Sequence, residues 1–225
     1  MNRSYVTTLV ERHSRSGAEG MTAKFWDKRA QKYNNDIERH DAVYIQTAES
    51  AKTLLSTSDV VLDLGCASGE FSLDIAPHVQ RVRGIDTSPN MIAIAMEKAS
   101  KRSADNVTFS PTDLFDRSLE GHGYTVVLAF NVLHLVEDVS AVLGRINRLL
   151  PTGALLISQT PCLGERGPLF RWLVGFAQKV KVAPTILNLT IHELERKTVG
   201  AGFEIAESME WDPKNAIHWI VGKKR

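Results

Sequence analysis

Short apolar runs alternate with stretches of helical periodicity along most of the chain. Each run is bounded by glycine, proline or polar residues, as expected of strands that are buried on both faces of a sheet. We predict five such strands, at 60–64, 79–85, 106–109, 124–130 and 154–158. Two further strands are predicted at 203–209 and 216–221.

Between these runs, apolar residues recur at the spacing of one helix face. This pattern predicts helices at 22–34, 42–55 and 70–76, and after Ser88, Asp138 and Thr190. Each of these three residues has a side-chain oxygen that can cap a helix N-terminus, and Thr190 forms a capping box with Glu193. In the helix after Asp138, the arginines at 145 and 148 are expected to point away from the apolar face.

The alternation predicts an α/β fold with a doubly wound, mostly parallel, Rossmann-like sheet of seven strands and helices on both faces. No long crossover separates the last two strands, so they should form a hairpin with an antiparallel last strand. Residues 1–20 lack periodicity and are predicted to be a flexible extension before one domain at 21–225. Residues 160–189 interrupt the alternation and are predicted to form a substrate lid.

A turn bracketed by Gly65 and Gly69 follows the first strand, in the sequence VLDLGCASGEF. Glycine lets the backbone adopt positive φ and approach a ligand closely. A dinucleotide fingerprint, G-x-G-x-x-G, would require glycine where this chain has Ala67 and Glu70. A carboxylate in the first helical turn would repel a pyrophosphate. The turn therefore favours a ligand without phosphates, and S-adenosylmethionine (SAM) is one.

Polar residues stand at or just beyond the ends of four predicted strands, namely Asp63, Asp86, Asp113 and Asn131. Because the carboxyl ends of parallel strands share one edge of a sheet, these side chains should gather beside the glycine turn. An acid at the position of Asp86 suits the hydroxyls of a ribose. Each residue alone is also explained as an ordinary turn former or solvated strand end.

Several segments together resemble the class I SAM-dependent methyltransferases. VLDLGCASGEF is similar to the family's first motif, GIDTSPNMI to its second-strand motif and FSPTDLFD to its adenine-contacting segment. FNVLHLVED and LLPTGALLIS resemble the fourth-strand motif and the helix, turn and strand that follow. The resemblance extends from about residue 22 to the end and implies a methyltransferase that uses SAM.

The resemblance also implies roles for individual residues. Asp63 and the Gly65–Gly69 loop would hold the methionine part, Asp86 the ribose, and Asp113 and Leu114 the adenine. The full implied cofactor-binding set is Tyr33, Asp63, Gly65, Ala67, Gly69, Asp86, Thr87, Met91, Asp113, Leu114 and Asn131. Ala67 departs from the family's usual glycine; at negative φ its methyl group is tolerated, whereas positive φ would cost about 1 kcal/mol.

Methyl transfer depends mainly on placing the acceptor in line with the methyl group, and a base is needed only for a protonated acceptor. His134 is the leading candidate base, although a structural role in or near the turn is the more common one for histidine; His192 is a weaker candidate. Trp26, Phe170 and Trp172 are candidate substrate-contacting residues, and core packing is the alternative.

Composition limits the class of partner. The chain has 225 residues, a formal net charge of +1 and two cysteines. These values indicate a reduced cytoplasmic protein without a disulfide framework or a metal site, without a membrane span, and without global attraction to nucleic acid. We therefore expect a small-molecule acceptor and a monomer or homodimer. The alternatives are an RNA or protein methyltransferase, a non-catalytic SAM-binding protein and, more distantly, a nicotinamide oxidoreductase.

Overall fold

The computed structural model of the chain describes residues 17–37, 42–167, 172, 186–212 and 215–225. The helices are α1 (Gly17–Ile37), α2 (Ala42–Leu54), α3 (Glu70–Ile75), α4 (Pro89–Arg102), α5 (Val139–Leu149) and α6 (Ile191–Gly200). The strands are β1 (Val60–Leu64), β2 (Arg81–Asp86), β3 (Val107–Pro111), β4 (Val126–Phe130), β5 (Leu155–Pro161), β6 (Phe203–Asp212) and β7 (Ile217–Lys224).

The seven strands form one sheet in the order β3-β2-β1-β4-β5-β7-β6. The first five strands pair in parallel, whereas β7 is antiparallel to both β5 and β6. This arrangement confirms the predicted doubly wound fold and its terminal hairpin. The strand order reverses between β1 and β4, so the crossovers diverge there and leave a crevice at the carboxyl edge.

Two hydrophobic clusters cover the two faces of the sheet. One contains Leu143 of α5 and Leu194 of α6, and the other contains Ala51 of α2 and Leu73 of α3. The helices begin at the predicted caps: Ser88 and Asp138 accept backbone N–H groups, and Thr190 forms its capping box. No helix among the described residues is long and apolar enough to cross a membrane.

The predicted orientation of Arg145 is wrong. Its side chain is buried rather than directed to solvent, and its guanidinium donates to the carbonyl oxygens of Leu114 and Asp116 and to the carboxylate of Glu120. A buried guanidinium is tolerated because its donors are satisfied. Arg145 thus ties α5 to the loop that follows β3.

Some element boundaries differ from the predicted ones. Helix α1 runs from Gly17 to Ile37, whereas the predicted helix runs from 22 to 34. Strands β5 and β6 run on to Pro161 and Asp212, because pairing with β7 continues past the apolar residues and through two irregularities. Most of the lid proposed at 160–189 lies outside the described residues.

Candidate active site

A cavity of about 540 Å³ lies at the carboxyl edge of the sheet, above the ends of β1, β2 and β4. This volume is typical of a site for a small molecule or cofactor. Most of the predicted site residues line it: Trp26, Tyr33, Gly65, Ala67, Asp86, Thr87, Met91, Asp113, Leu114, Asn131 and His134. The topology therefore brings residues from distant parts of the sequence to one site.

The turn after β1 is held tightly against β2. The amides of Gly65 and Cys66 both donate to the carbonyl oxygen of Ile85, at 2.8 and 3.0 Å. Gly65 has a φ of 71°, and a Cβ there would lie 2.8 Å from Cγ2 of Val132. Glycine is thus required both by the backbone conformation and by the close approach of the opposite wall.

Of the two backbone conformations considered for Ala67, the residue adopts the strained one with positive φ, at 48°. Its amide donates to Oδ2 of Asp86 at 3.1 Å, and this bond holds the residue in the left-handed region. Strain of this kind is tolerated where the surrounding structure fixes the backbone.

Replacing Ala67 by glycine should therefore stabilise the protein slightly. Relief of the left-handed strain gains roughly 1–2 kcal/mol, and the greater freedom of unfolded glycine costs roughly 0.5–1 kcal/mol. We expect a net gain of about 0.5 kcal/mol in urea unfolding. The control, Ala93→Gly on the exposed face of α4, should lose about 1 kcal/mol. Equal losses for both variants would show that Ala67 is not strained.

Asp86 at the end of β2 joins the turn to the next helix. Besides the amide of Ala67, its carboxylate accepts the amide of Ser88 at 2.8 Å through Oδ1. Burial raises the pKa of this carboxyl, and the backbone amides of Ser88, Ala67 and Thr87 oppose that shift. The carboxylate lines the cavity and still has acceptor capacity for a ligand's hydroxyl groups.

Asp63 and Gly69 do not line the cavity, although both were predicted to bind the cofactor. The buried Asp63 carboxylate accepts the hydroxyl of Ser72 in α3, and burial raises its pKa to about 6. Gly69 precedes α3 with a φ of 81°, and a Cβ there would meet Phe109 and Ala95. Both residues therefore contact neighbouring parts of the protein around the turn. Direct contact with a cofactor stays a prediction for them.

The aromatic residues of α1 close one side of the cavity. Trp26 and Tyr33 both line it and pack edge to face, with ring centroids 5.8 Å apart. Burial, together with the nearby Asp86 carboxylate, raises the pKa of Tyr33 to about 12, so its hydroxyl remains protonated at neutral pH. The indole Nε1 of Trp26 is buried and has no hydrogen-bond partner among the described residues.

His134 lines the cavity on the loop after β4. The side chain is buried, which lowers its pKa to about 4, and its Nδ1 has no hydrogen-bond partner in the described part of the chain. The ring is therefore neutral at physiological pH, and the lowered pKa makes it a weaker base than a free imidazole. The exposed His192 does not line the cavity.

The lowered pKa of His134 has a measurable effect on stability. Because the unfolded chain takes up this proton near pH 6.5 and the folded ring only near pH 4, the ring's contribution to stability is complete above pH 6.5 and is lost as the pH falls toward 4. Between pH 7 and 5, wild type should lose about 1–2 kcal/mol more stability in urea unfolding than His134→Gln does. His192→Gln, the control, should behave like wild type.

Residues 55–209 match the model of a family described as a methyltransferase domain. The chain belongs to the class I SAM-dependent methyltransferases. SAM is accordingly the cofactor of this methyltransferase, and the fold and family expected from the sequence motifs are confirmed.

Two curated relatives are similar to this chain over different shares of their own length. The methyltransferase is 36% identical over 177 residues to the reducing polyketide synthase Preu2 of Preussia isomera, covering 72% of this chain and 8% of the synthase. It is 27% identical over 168 residues to the ubiquinone biosynthesis O-methyltransferase of Azorhizobium caulinodans, covering 68% and 62% of the two chains. It therefore spans less than two thirds of both curated relatives.

Among solved structures, the geranyl diphosphate C-methyltransferase of Streptomyces coelicolor matches the fold with a TM-score of 0.72 at 12% identity. The match covers 93% of this chain and 98% of that one. At such low identity, the likeness concerns the fold.

The walls of the cavity fit SAM by their charge. Four acidic residues line it, and no lysine or arginine does so among the described residues; the acids are Asp86, Asp113, Glu137 and Asp138. An acidic wall attracts the sulfonium and ammonium groups of SAM and disfavours a pyrophosphate. The buried polar atoms of Trp26 and His134, which lack partners in the described chain, also fit a ligand that hydrogen-bonds.

Glu70 does not contribute to this charge as predicted. Its carboxylate is buried and pairs with Lys98 and with Arg102, the latter at 2.8 Å. The pairing neutralises the first turn of α3, so the charge of Glu70 is not what disfavours a pyrophosphate. The acids that line the cavity take that role.

One wall of the methyltransferase cavity was not predicted. It comes from the segment after β4 and the first turn of α5, and includes Val132, Leu135, Val136, Glu137, Asp138, Ala141 and Val142. Asp138 had been interpreted only as a helix cap, a role it also fulfils. The position of this segment directly after the fourth-strand motif was the available signal. Phe170 lies outside the described residues, and Trp172 is 64% exposed and does not line the cavity.

Proposed function

We propose that this enzyme transfers the methyl group of SAM to a small-molecule acceptor. The observation that carries the proposal is the cavity, which encloses about 540 Å³ and has no lysine or arginine in its described wall. An RNA acceptor would be held largely through its phosphates by basic side chains. The names of the ubiquinone and geranyl diphosphate methyltransferases support the same class of acceptor.

The residues of the chain hold and orient the cofactor. Asp86 would accept the ribose hydroxyls, Asp113 and Leu114 would fix the adenine, and the turn at Gly65 would hold the methionine part. When bound, SAM supplies a methyl group activated by the adjacent sulfonium. Trp26 and Tyr33 would cover the cavity and exclude water, so that alignment of the acceptor accounts for most of the rate.

His134 is proposed as the base when the acceptor is protonated. Its neutral imidazole has an unprotonated nitrogen, which would take the proton from a phenol, thiol or ammonium group as the new bond forms, although the lowered pKa makes it a weaker base than a free imidazole. An acceptor that reacts through a neutral atom does not need this step, and His134 then forms only part of the wall.

The test begins with calorimetric titration of SAM and of its demethylated product, for which we expect micromolar dissociation constants. A screen of phenols, thiols, amines and enolisable ketones follows, with transfer RNA and ribosomal RNA as competing acceptors. Turnover of a small acceptor with RNA inactive supports the proposal. Turnover of RNA alone, with binding that weakens steeply as salt is added, contradicts the proposed class of acceptor.

A further inference from the structure

Gln159 in β5 is an unexpected residue at the carboxyl edge of the sheet. Its side chain is 1% exposed, yet neither its Oε1 nor its Nε2 has a hydrogen-bond partner among the residues that the structure describes. Buried polar groups in native proteins nearly always have partners, and an unsatisfied one destabilises the fold. An amide with both ends unsatisfied therefore calls for an explanation.

The surroundings of Gln159 are apolar and aromatic. In register it lies between Phe130 of the parallel strand β4 and Trp219 of the antiparallel strand β7. Residues paired in register present their side chains on the same face of a sheet, so Gln159 shares its face with both aromatic side chains, whose rings stack on each other with centroids 6.0 Å apart. The Trp211 ring stacks on Trp219 with centroids 4.3 Å apart, which extends the aromatic surface.

The same residue adjoins the wall of the candidate active site. Phe130 and Asn131 both line the cavity. Phe130 is the register partner of Gln159, and the amide of Asn131 donates to its main-chain oxygen at 2.8 Å. Gln159 itself does not line the cavity, but its backbone adjoins two residues that do, so a change of side-chain rotamer would bring its amide to a bound molecule.

We propose that Gln159 is a specificity-determining residue that recognises a neutral polar group of the methyl acceptor. The proposal rests on the proposed function, since it places the acceptor beside Phe130 and Asn131. An amide donates through Nε2 and accepts through Oε1, so its complement carries a donor beside an acceptor, as a lactam or carboxamide does. An anion would be buried beside an acidic wall that has no lysine or arginine in its described part, and an ammonium group offers donors but no acceptor, so a neutral group is the better complement.

The proposal requires that the Gln159 amide has no partner within the protein. The stability of the protein without an acceptor tests this requirement. Gln159→Met conserves volume and removes an amide that has no protein partner, so its melting temperature should rise above that of wild type. Gln80→Met, at an exposed glutamine, should leave the melting temperature unchanged. A lower melting temperature for Gln159→Met would show that the amide is already satisfied, and would overturn the proposal.

The proposal also requires that Gln159 recognises a neutral polar group. The binding of two probe molecules tests this requirement. With the demethylated cofactor at saturation, quinolin-2(1H)-one offers a cis donor and acceptor, whereas 1-methylquinolin-2(1H)-one lacks the donor. Wild type should bind the first probe at least tenfold more tightly, with a shift of the Gln159 side-chain amide signal in ¹H–¹⁵N NMR spectra. In Gln159→Met the preference should fall below twofold.

The outcomes separate this inference from the proposed function. If the demethylated cofactor binds but wild type does not discriminate between the probes, or the preference survives in Gln159→Met, the role of Gln159 is wrong and the methyltransferase assignment stands. If the demethylated cofactor itself does not bind in the calorimetric titration, the proposed function fails first.

Discussion

Gly65→Val is expected to raise the dissociation constant for SAM at least 100-fold. A Cβ at this position would lie 2.8 Å from Cγ2 and 3.0 Å from Cβ of Val132, so the turn and the opposite wall must separate. The residue's φ of 71° adds strain of about 1–2 kcal/mol for any side chain. The displaced turn no longer lies close against the methionine part of the cofactor. Isothermal titration calorimetry with SAM measures the loss.

A substitution at a second glycine serves as a control, because it has the effect of the backbone strain without that of the close contact. Gly121 has a similar φ of 74°, but a Cβ there would meet nothing within 4 Å, and the residue lies outside the cavity wall. Gly121→Val should therefore lose comparable stability through strain while its affinity for the cofactor stays within twofold of wild type. If Gly65→Val binds as Gly121→Val does, the cofactor does not lie against the turn.

The strands of the sheet could be predicted from the sequence because the apolar composition of each strand indicates its burial. The apolar runs of β1 and β4 are buried along their whole length, as their composition indicates. The glycine turn is also local, since positive φ at Gly65 follows from its position between a strand and a helix. Residues at the tips of parallel strands then gather at one edge by topology alone, which brings Asp86 and Asn131 to the same cavity.

Side-chain partners across the fold are less accessible to this reasoning. Glu70 seemed to face a ligand, but Lys98 and Arg102 of α4 neutralise it. Arg145 seemed to face solvent, but carbonyl oxygens from a distant loop satisfy it within the protein. Each outcome depends on which elements pack together, and periodicity along one helix carries no information about that.

The chemistry of the cavity wall was predictable only in part for the same reason. Sequence motifs indicated Asn131 and His134, whereas the lowered pKa of His134 results from burial that only the assembled fold provides. The amide of Gln159 gave no signal in the sequence because a single polar residue near the end of a strand is ordinary. It becomes informative once its two aromatic neighbours are known.

Asp86→Asn should raise the dissociation constant for SAM about 100-fold with a smaller effect on folding. The carboxylate accepts the amides of Ala67 and Ser88 with its two oxygens, and an Asn side chain can satisfy only one of them with its single oxygen. The ribose hydroxyls also lose a charged acceptor, and a hydrogen bond to a charged group is worth about 1.5–3 kcal/mol. Folding is affected less, because removing a buried negative charge offsets part of the lost bonding; burial already raises the pKa of this carboxyl.

Asp116→Asn is the matched control for this prediction. Asp116 accepts the amide two residues ahead through Oδ1, as Asp86 does, at 2.7 Å, but it does not line the cavity. Its variant should bind SAM within twofold of wild type. Should Asp86→Asn bind as tightly as Asp116→Asn, the ribose does not contact β2. The acids that line the cavity would then have to attract the cofactor by charge alone, and its affinity in every variant should fall as salt is added.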